Sequence, residues 1–380
     1  MDWGPLALPG LILWSVILLL PWRPWSTRES LDCEPGQPSQ DITLSRITAL
    51  IPARNEEDVL PDTLDGLIRQ DKRLAIILVD DQSTDATAEI ARRKSAENLQ
   101  IVNGRPMPEG WTGKLWALQQ GKQRVNTDLV LLLDADIRLE PGILAALEKK
   151  LLEDDLAMIS LMANLRMKGV WEKLAMPAFI FFFKLLYPFH LANSKSKYIA
   201  AAAGGCILIR REMLDRIGAF NSLRDSLIDD CALARKVKEQ DGRTWLGLTH
   251  SVISLRRYDN PGIIWDMVAR TAFTQLHYSW SLLLLCTALM AVAFIIPLLG
   301  LLTVTGWALV FPVLTLSIMM ICYLPVIRYY AIHPAWALAL PITGILFMCM
   351  TWTSAYRHLV KSGAHWKGRY YSVSAQKKCN

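Results

Sequence analysis

Three apolar runs crowd the carboxyl-terminal third of the chain: Ser281–Leu302, Gly306–Pro325 and Ala335–Tyr356. Each is roughly twenty residues, the length a helix needs to cross the ~30 Å hydrocarbon core of a bilayer. Backbone buried in lipid must satisfy its own hydrogen bonds, so these runs predict helices. The 380 residues are 52% hydrophobic and 20% charged, but that mean covers two populations, because Ile47 to about Leu255 has the alternating texture of a soluble domain. A fourth run, Pro5–Trp22, is uncharged and just long enough to span. It lacks the basic start and small-residue cleavage site of a signal peptide, Asp2 being its only early charge, so residues 1–24 are expected to be a retained anchor. Arg23 and Arg28 follow it and place the downstream side in the cytosol.

The expected layout is therefore an anchor at 1–24, a polar linker at 25–44, a catalytic-type domain at 45–260, an amphipathic interface segment at 261–280, membrane helices at 281–356 and a basic tail at 357–380. Within the domain, residues 171–190, "WEKLAMPAFIFFFKLLYPFH", are apolar between Lys173 and Lys184 but too short to span. An interfacial segment is expected there, with an ordinary core helix as the alternative. Three spans after a cytosolic domain put the basic tail outside, against the positive-inside tendency. Either one segment is re-entrant or the tail is an exception.

The formal net charge is +6, but Lys and Arg flank apolar segments and form no aromatic-interleaved stripe. Contact with anionic headgroups is expected, and no nucleic-acid partner. Seven dispersed cysteines, with no CxxC pair and no His at ligand spacing, read as reduced thiols of a cytosolic domain.

Between Ile47 and Leu255 strand and helix patterns alternate, which predicts α/β units and a mainly parallel sheet. Ligands of such sheets sit at the carboxyl ends of the strands. The polar clusters "PARNEE", "DDQSTD" and "DAD" all fall there. In "VDDQSTD", Ser83, Thr84 and Asp85 suit helix capping, whereas Asp81 faces the ligand crevice and can accept from the ring N–H of a base. In "LLLDADIRLEPG", Asp134 and Asp136 are one residue apart, so in an extended chain both point to one side. Paired carboxylates there suit Mg²⁺ or Mn²⁺, which also holds phosphate oxygens. In "IDDCALARKVKEQDG", Asp229 and Asp230 open a helix, where they either complement the dipole or supply a general base.

"IPARNEE", "VDDQSTD", "GKLWAL", "LLLDAD", "GGCILIRR" and "IDDCALARK" occur in the order seen in family 2 glycosyltransferases of the GT-A fold, which this chain resembles from about Ile47 to Leu255. The membrane layout is similar to the ceramide glucosyltransferase-like branch. "EGWTGKLWAL", "AFIFFFKLLYPF" and "RTAFTQLHYS" look most like bacterial hopene-associated glycosyltransferases. The resemblance implies an inverting hexosyltransferase in a bacterial inner membrane, catalytic domain cytosolic, that moves sugar from a nucleoside diphosphate sugar, most often a UDP-sugar, to a hopanoid or ceramide-like lipid. It implies that Pro52, Arg54, Glu56, Asp81, Lys114 and Asp134 bind the donor. Asp134 and Asp136 would hold Mg²⁺ or Mn²⁺, and Asp230, with neighbouring Asp229, would be the base. Gly204 and Gly205 would let the acceptor approach. Relatives often carry Q/R-x-x-R-W before the spans. Here "RTAFTQLHYSW" offers Arg270, Gln275 and Trp280 at other spacings, as acceptor-side candidates. A processive polysaccharide synthase, which would want more spans and that motif, and a nonenzymatic lipid carrier on the same fold are the alternatives.

Overall fold

The computed structural model describes residues 7–33, 44–94, 96–224, 226, 228–360, 364–366 and 369–371. Among the described residues the chain divides into two compact units, one built from Glu29–Arg166 and Leu191–Arg257, the other from residues 7–28, Met167–His190 and residues 258–371.

The first unit is a sheet with helices on both faces. Its strands are β1 (Ile47–Ala53), β2 (Ala75–Asp80), β3 (Leu99–Asn103), β4 (Leu129–Leu133), β5 (Ile137–Leu139), β6 (Met158–Asn164), β7 (Cys206–Arg210) and β8 (Thr244–Ser254). Their order is β3-β2-β1-β4-β7-β6-β8-β5. β3, β2, β1 and β4 run parallel, as do β6 and β8, whereas β7 and β5 run antiparallel to their neighbours. The mainly parallel α/β sheet expected from the sequence is what forms. β1 and β4 are buried at every position, as strands covered on both faces must be. Ile47, Ala49 and Ile51 pack into one core, where the helix Leu60–Ile68 buries Leu60, Leu64 and Leu67 at helical spacing. Each such leucine is worth about 1.5–3 kcal/mol of burial. Leu50 faces the other core, with Leu115 and Leu118 of the helix Gly113–Lys122.

The first described part of the expected linker is not free. Ser30 bridges Leu248 in parallel, and Asp32 accepts from the Thr249 hydroxyl (2.8 Å) and the His250 and Ser251 amides (2.5 and 3.2 Å). A polar stretch that runs beside β8 finds partners that composition does not reveal. Residues 34–43 lie outside the described set.

In the second unit three helices are long and apolar enough to cross a membrane: Trp280–Thr303, Gly306–Tyr329 and Pro334–Leu359. Leu284, Leu302, Trp307 and Ile321 on them are exposed. The amino-terminal anchor differs from expectation. Its helix, Leu8–Leu19, has 12 residues, so it is about 18 Å long and short of the bilayer core. Leu20 is extended because it precedes Pro21, and the helix ends there. Its Trp14 indole donates to the Ala293 carbonyl at 3.1 Å. That oxygen lacks its ordinary helical donor, since the residue four positions on is Pro297, and the local turn widens to a π-helix over Ala291–Ile295. The segment expected at 171–190 forms the helix Val170–Leu186. Its Phe181 packs on Tyr323 (5.2 Å) and Phe182 on Phe347 (4.9 Å), while Val170, Trp171 and Leu186 at its ends are exposed. The expected interface segment becomes two helices, Pro261–Ala269 and Ala272–Gln275. Of the tail, residues 361–363, 367–368 and 372–380 lie outside the described set.

Candidate active site

At the carboxyl ends of β1 and β2, Ala53 and Asp80 lie side by side, so the loops that follow them meet. Side chain-to-backbone bonds stitch the two together. The Asn55 amide donates to Ser83 Oγ (3.1 Å), Thr84 N to Asn55 Oδ1 (2.8 Å), Glu56 N to Thr87 Oγ1 (2.8 Å) and Ala86 N to Glu57 Oε2 (2.9 Å). Arg54 Nη1 donates to the carbonyls of Asp81 (2.6 Å) and Gln82 (2.9 Å). Arg54 thus braces the loop that carries Asp81. Asn55 and Gln82 both take left-handed φ (50° and 57°), a strained geometry that clusters at ligand sites. Asp81 itself is buried, its amide bonded to the Ala53 carbonyl at 2.8 Å. Asp85 accepts from Thr87 N (3.0 Å) and so helps to start the helix Thr87–Arg93, whereas Ser83 and Thr84 bond to the neighbouring loop.

The aspartates after β4 do not sit on an extended strand. The Ile137 amide donates to the Asp134 carbonyl at 3.1 Å, so Asp134–Ile137 is a turn and not the extended chain expected from the sequence. The turn is held from two directions: Thr63 donates to the Ala135 carbonyl (2.8 Å), and Asp134 N donates to the Gly205 carbonyl (3.1 Å). Each carboxylate then meets its own cation. Lys114 Nζ is 2.7 Å from Asp134 Oδ1, and Arg256 Nε is 2.9 Å from Asp136 Oδ2.

Lys114 also lies 3.7 Å from Asp229 Oδ2. A lysine in the first turn of a helix, here Gly113–Lys122, opposes the dipole, so carboxylates must compensate it. Asp229 and Asp230 open the helix Asp229–Glu239, where the dipole favours them. Gly204 closes the group: a Cβ there would lie 3.2 Å from Asp230 Oδ2 and 3.5 Å from Lys114 Nζ. The backbone before Gly204 is fixed too, since Ser160 Oγ donates to the Ala203 carbonyl (3.0 Å) and accepts from its amide (2.8 Å). A crevice brings together Pro52, Lys114, Asp134, Gly204, Asp229 and Asp230, over an apolar floor that includes Leu132, Ile207 and Phe220.

Burial pushes the Asp230 carboxyl up to about 6, and the Asp229 charge adds to this against the pull of Lys114 and the Cys231 and Gly204 amides. Burial also raises Asp134, with Asp136 adding and Lys114 opposing. Burial alone would lower Lys114, but Asp134, Asp229 and Asp230 outweigh it and hold the ammonium charged. A carboxyl poised near neutrality beside a fixed cation can take a proton; the cation can hold an anionic group.

Of the sequence candidates, Arg54, Glu56 and Asp81 form the stitched loop cluster and are not among the crevice-lining residues. A Cβ on Gly205 would meet Ile137 Cδ1 at 3.2 Å. Arg270, Gln275 and Trp280 belong to the second unit. There Gln275 Oε1 accepts from the Tyr187 hydroxyl (2.5 Å), Trp280 packs on Phe273 (5.3 Å), and Arg270 follows the helix Pro261–Ala269. Among the described residues no group of three His, Cys, Asp or Glu could hold a metal alone. Two residues escaped the sequence reading. Arg256 lies just past β8, and the strand-end rule could have flagged it. Gly104 has its amide 2.7 Å from the Asp80 carbonyl, and a Cβ there would come within 2.6 Å of that oxygen.

The sheet, its carboxyl-end loops and the acidic crevice define a glycosyltransferase-type domain of GT-A-like fold. Residues 48–218 match the model of glycosyl transferase family 2. A 4,4'-diaponeurosporenoate glycosyltransferase of Staphylococcus haemolyticus is 39% identical over 100 residues, 26% of each chain. Its Staphylococcus aureus counterpart is 36% identical over 92 residues, 24% of each. The chain thus matches about a quarter of the length of these relatives. A mannosyltransferase from Pyrobaculum calidifontis, solved with GDP-Man and Mn²⁺, shares the fold at a TM-score of 0.54 and 17% identity, over 90% of this chain and 99% of that one.

Proposed function

We propose that the protein transfers a sugar, with inversion, from a nucleoside diphosphate sugar to a membrane lipid. The observation that carries this is Asp230, pushed up to about 6 beside Gly204 and Lys114. A base with a value near the working pH can both stay ionised and accept a proton. In this reading the acceptor hydroxyl attacks the anomeric carbon from the face opposite the diphosphate, and its proton passes to Asp230. Lys114 holds Asp134 and offers a fixed positive charge to the donor. The buried Asp81 receives the base, uridine by preference. Asp134 and Asp136 are hard oxygen donors in one turn, and they fit Mg²⁺ or Mn²⁺, which takes one or two carboxylates and completes its shell with substrate phosphates. A bound cation would supply charge neutralisation of the leaving diphosphate.

The three apolar helices support a lipid acceptor, hopanoid or ceramide-like, at a bacterial inner membrane, with the family 2 domain on the cytosolic side. A second acceptor class follows from the relatives' name, which specifies a carboxylate acceptor. A carboxylate is already ionised at neutral pH and needs no base, whereas a hydroxyl does. Transfer of UDP-[¹⁴C]sugar into bacterial lipid extract tests both. Asp230→Asn is expected to cut transfer to a hydroxyl acceptor by about 10²–10⁴-fold. Turnover above a tenth of wild type would remove Asp230 as base and favour the carboxylate acceptor.

A further inference from the structure

Arg256 has no role in the reading above, yet it pairs with Asp136 of the acidic turn. β8 ends at Ser254, which pairs with Ile137, and the Leu255 amide donates to the Asp136 carbonyl at 2.8 Å. Backbone register therefore delivers the next side chain to Asp136. The Asp136 side chain is only 12% exposed, whereas that of Arg256 is 36% exposed. The carboxylate is enclosed, and the guanidinium is partly exposed. A cation that takes Asp136 Oδ2 must displace Arg256 Nε, and a guanidinium cannot lose its charge to make way. With Lys114 already on Asp134, a divalent ion arriving alone meets two fixed positive charges. A diphosphate removes that conflict, because it bonds both to the ion and, through paired oxygens, to a planar guanidinium.

We propose that Arg256 is a donor-binding residue that couples cation and diphosphate: it holds Asp136 in the absence of cation, and passes to the diphosphate when the cation takes the carboxylate. This rests on the nucleoside diphosphate reading. The two ligands then bind with positive, reciprocal coupling.

Calorimetric titration of the full chain in detergent tests it, with Mn²⁺ alone, UDP in EDTA, and UDP with Mn²⁺. For Arg256→Gln the expected results are Mn²⁺ alone binding at least about threefold tighter, because its competitor is gone, and UDP with Mn²⁺ binding roughly tenfold weaker, as for loss of a charge-assisted bond, while UDP in EDTA, where Arg256 stays on Asp136, changes little. Arg256→Lys keeps the charge without the planar fork and should fall between the two, which also excludes misfolding as the cause. Unchanged or weaker Mn²⁺ binding in Arg256→Gln would overturn the proposal, as would unchanged UDP binding in the presence of Mn²⁺. The Mn²⁺ arm contains no nucleotide. A wild-type chain that binds no nucleoside diphosphate would defeat the proposed function and, with it, the diphosphate half of this role; the competition half is still judged by the Mn²⁺ arm.

Discussion

Replacing Asp229 with Asn removes one charge from the crevice and keeps its shape. Asp230 is raised from 3.8 to about 6, burial being the larger cause and Asp229 the next. That rise is worth roughly 3 kcal/mol at 1.36 kcal/mol per tenfold. The substitution removes the second cause and leaves the first, so the acid limb of kcat/KM should fall from near 6 to a value still above 3.8. With a limb at 6, about a tenth of Asp230 is ionised at pH 5; with a limb near 5, about half is, and the rate at pH 5 rises about fivefold. At pH 7.5 both forms are ionised and the rates converge. The stability effect has a definite sign. A carboxyl raised in the folded state costs nothing below its unfolded value, and its cost grows as pH climbs from 3.8 through about 6. Relief of that cost in Asp229→Asn should therefore appear above pH 6, as a melting temperature that falls less between pH 4 and pH 7. Transfer rates from pH 4.5 to 8 give the limb, which reports the Asp229–Asp230 pair as a unit. A limb that stays put or moves up in Asp229→Asn would refute the coupling.

Gly204→Ala puts a methyl 3.2 Å from Asp230 Oδ2, so transfer should drop by at least about tenfold while thermal stability changes by less than about 2 kcal/mol; wild-type kinetics would show that the approach is not needed. Gly104→Ala forces a Cβ to 2.6 Å from the Asp80 carbonyl, which should cost about 1–3 kcal/mol in denaturant unfolding and weaken UDP binding through Asp81. Lys238 is buried and donates to the carbonyls of Ser194 (3.0 Å), Ser196 (2.9 Å) and Ile199 (2.7 Å), which ties the helix that carries Asp230 to the chain leading into Gly204. Lys238→Met leaves those oxygens without their donor and should destabilise by about 2–4 kcal/mol, measured by unfolding at pH 7.

The sequence by itself determined the features that depend on local order. Three long apolar runs are long enough to cross a membrane, and alternating strands and helices imply a mainly parallel sheet whatever contacts follow. The polar breaks after β1, β2 and β4 are legible for the same reason: an apolar strand that ends in carboxylates has to end at a crevice. Pro21 was legible as well, since the residue before proline resists helix, although counting apolar residues passed over it. Tertiary structure alone decided how the acids are used. Asp134 and Asp136 turn instead of extending because Thr63, Gly205 and Leu255, from three other elements, hold the backbone. Lys114 meets Asp134, and Arg256 meets Asp136, across long stretches of chain. Their attraction is set by distance in space, and no spacing along the chain encodes it. The value of about 6 at Asp230 is of the same kind, because burial and a neighbouring charge exist only once the crevice has closed around them.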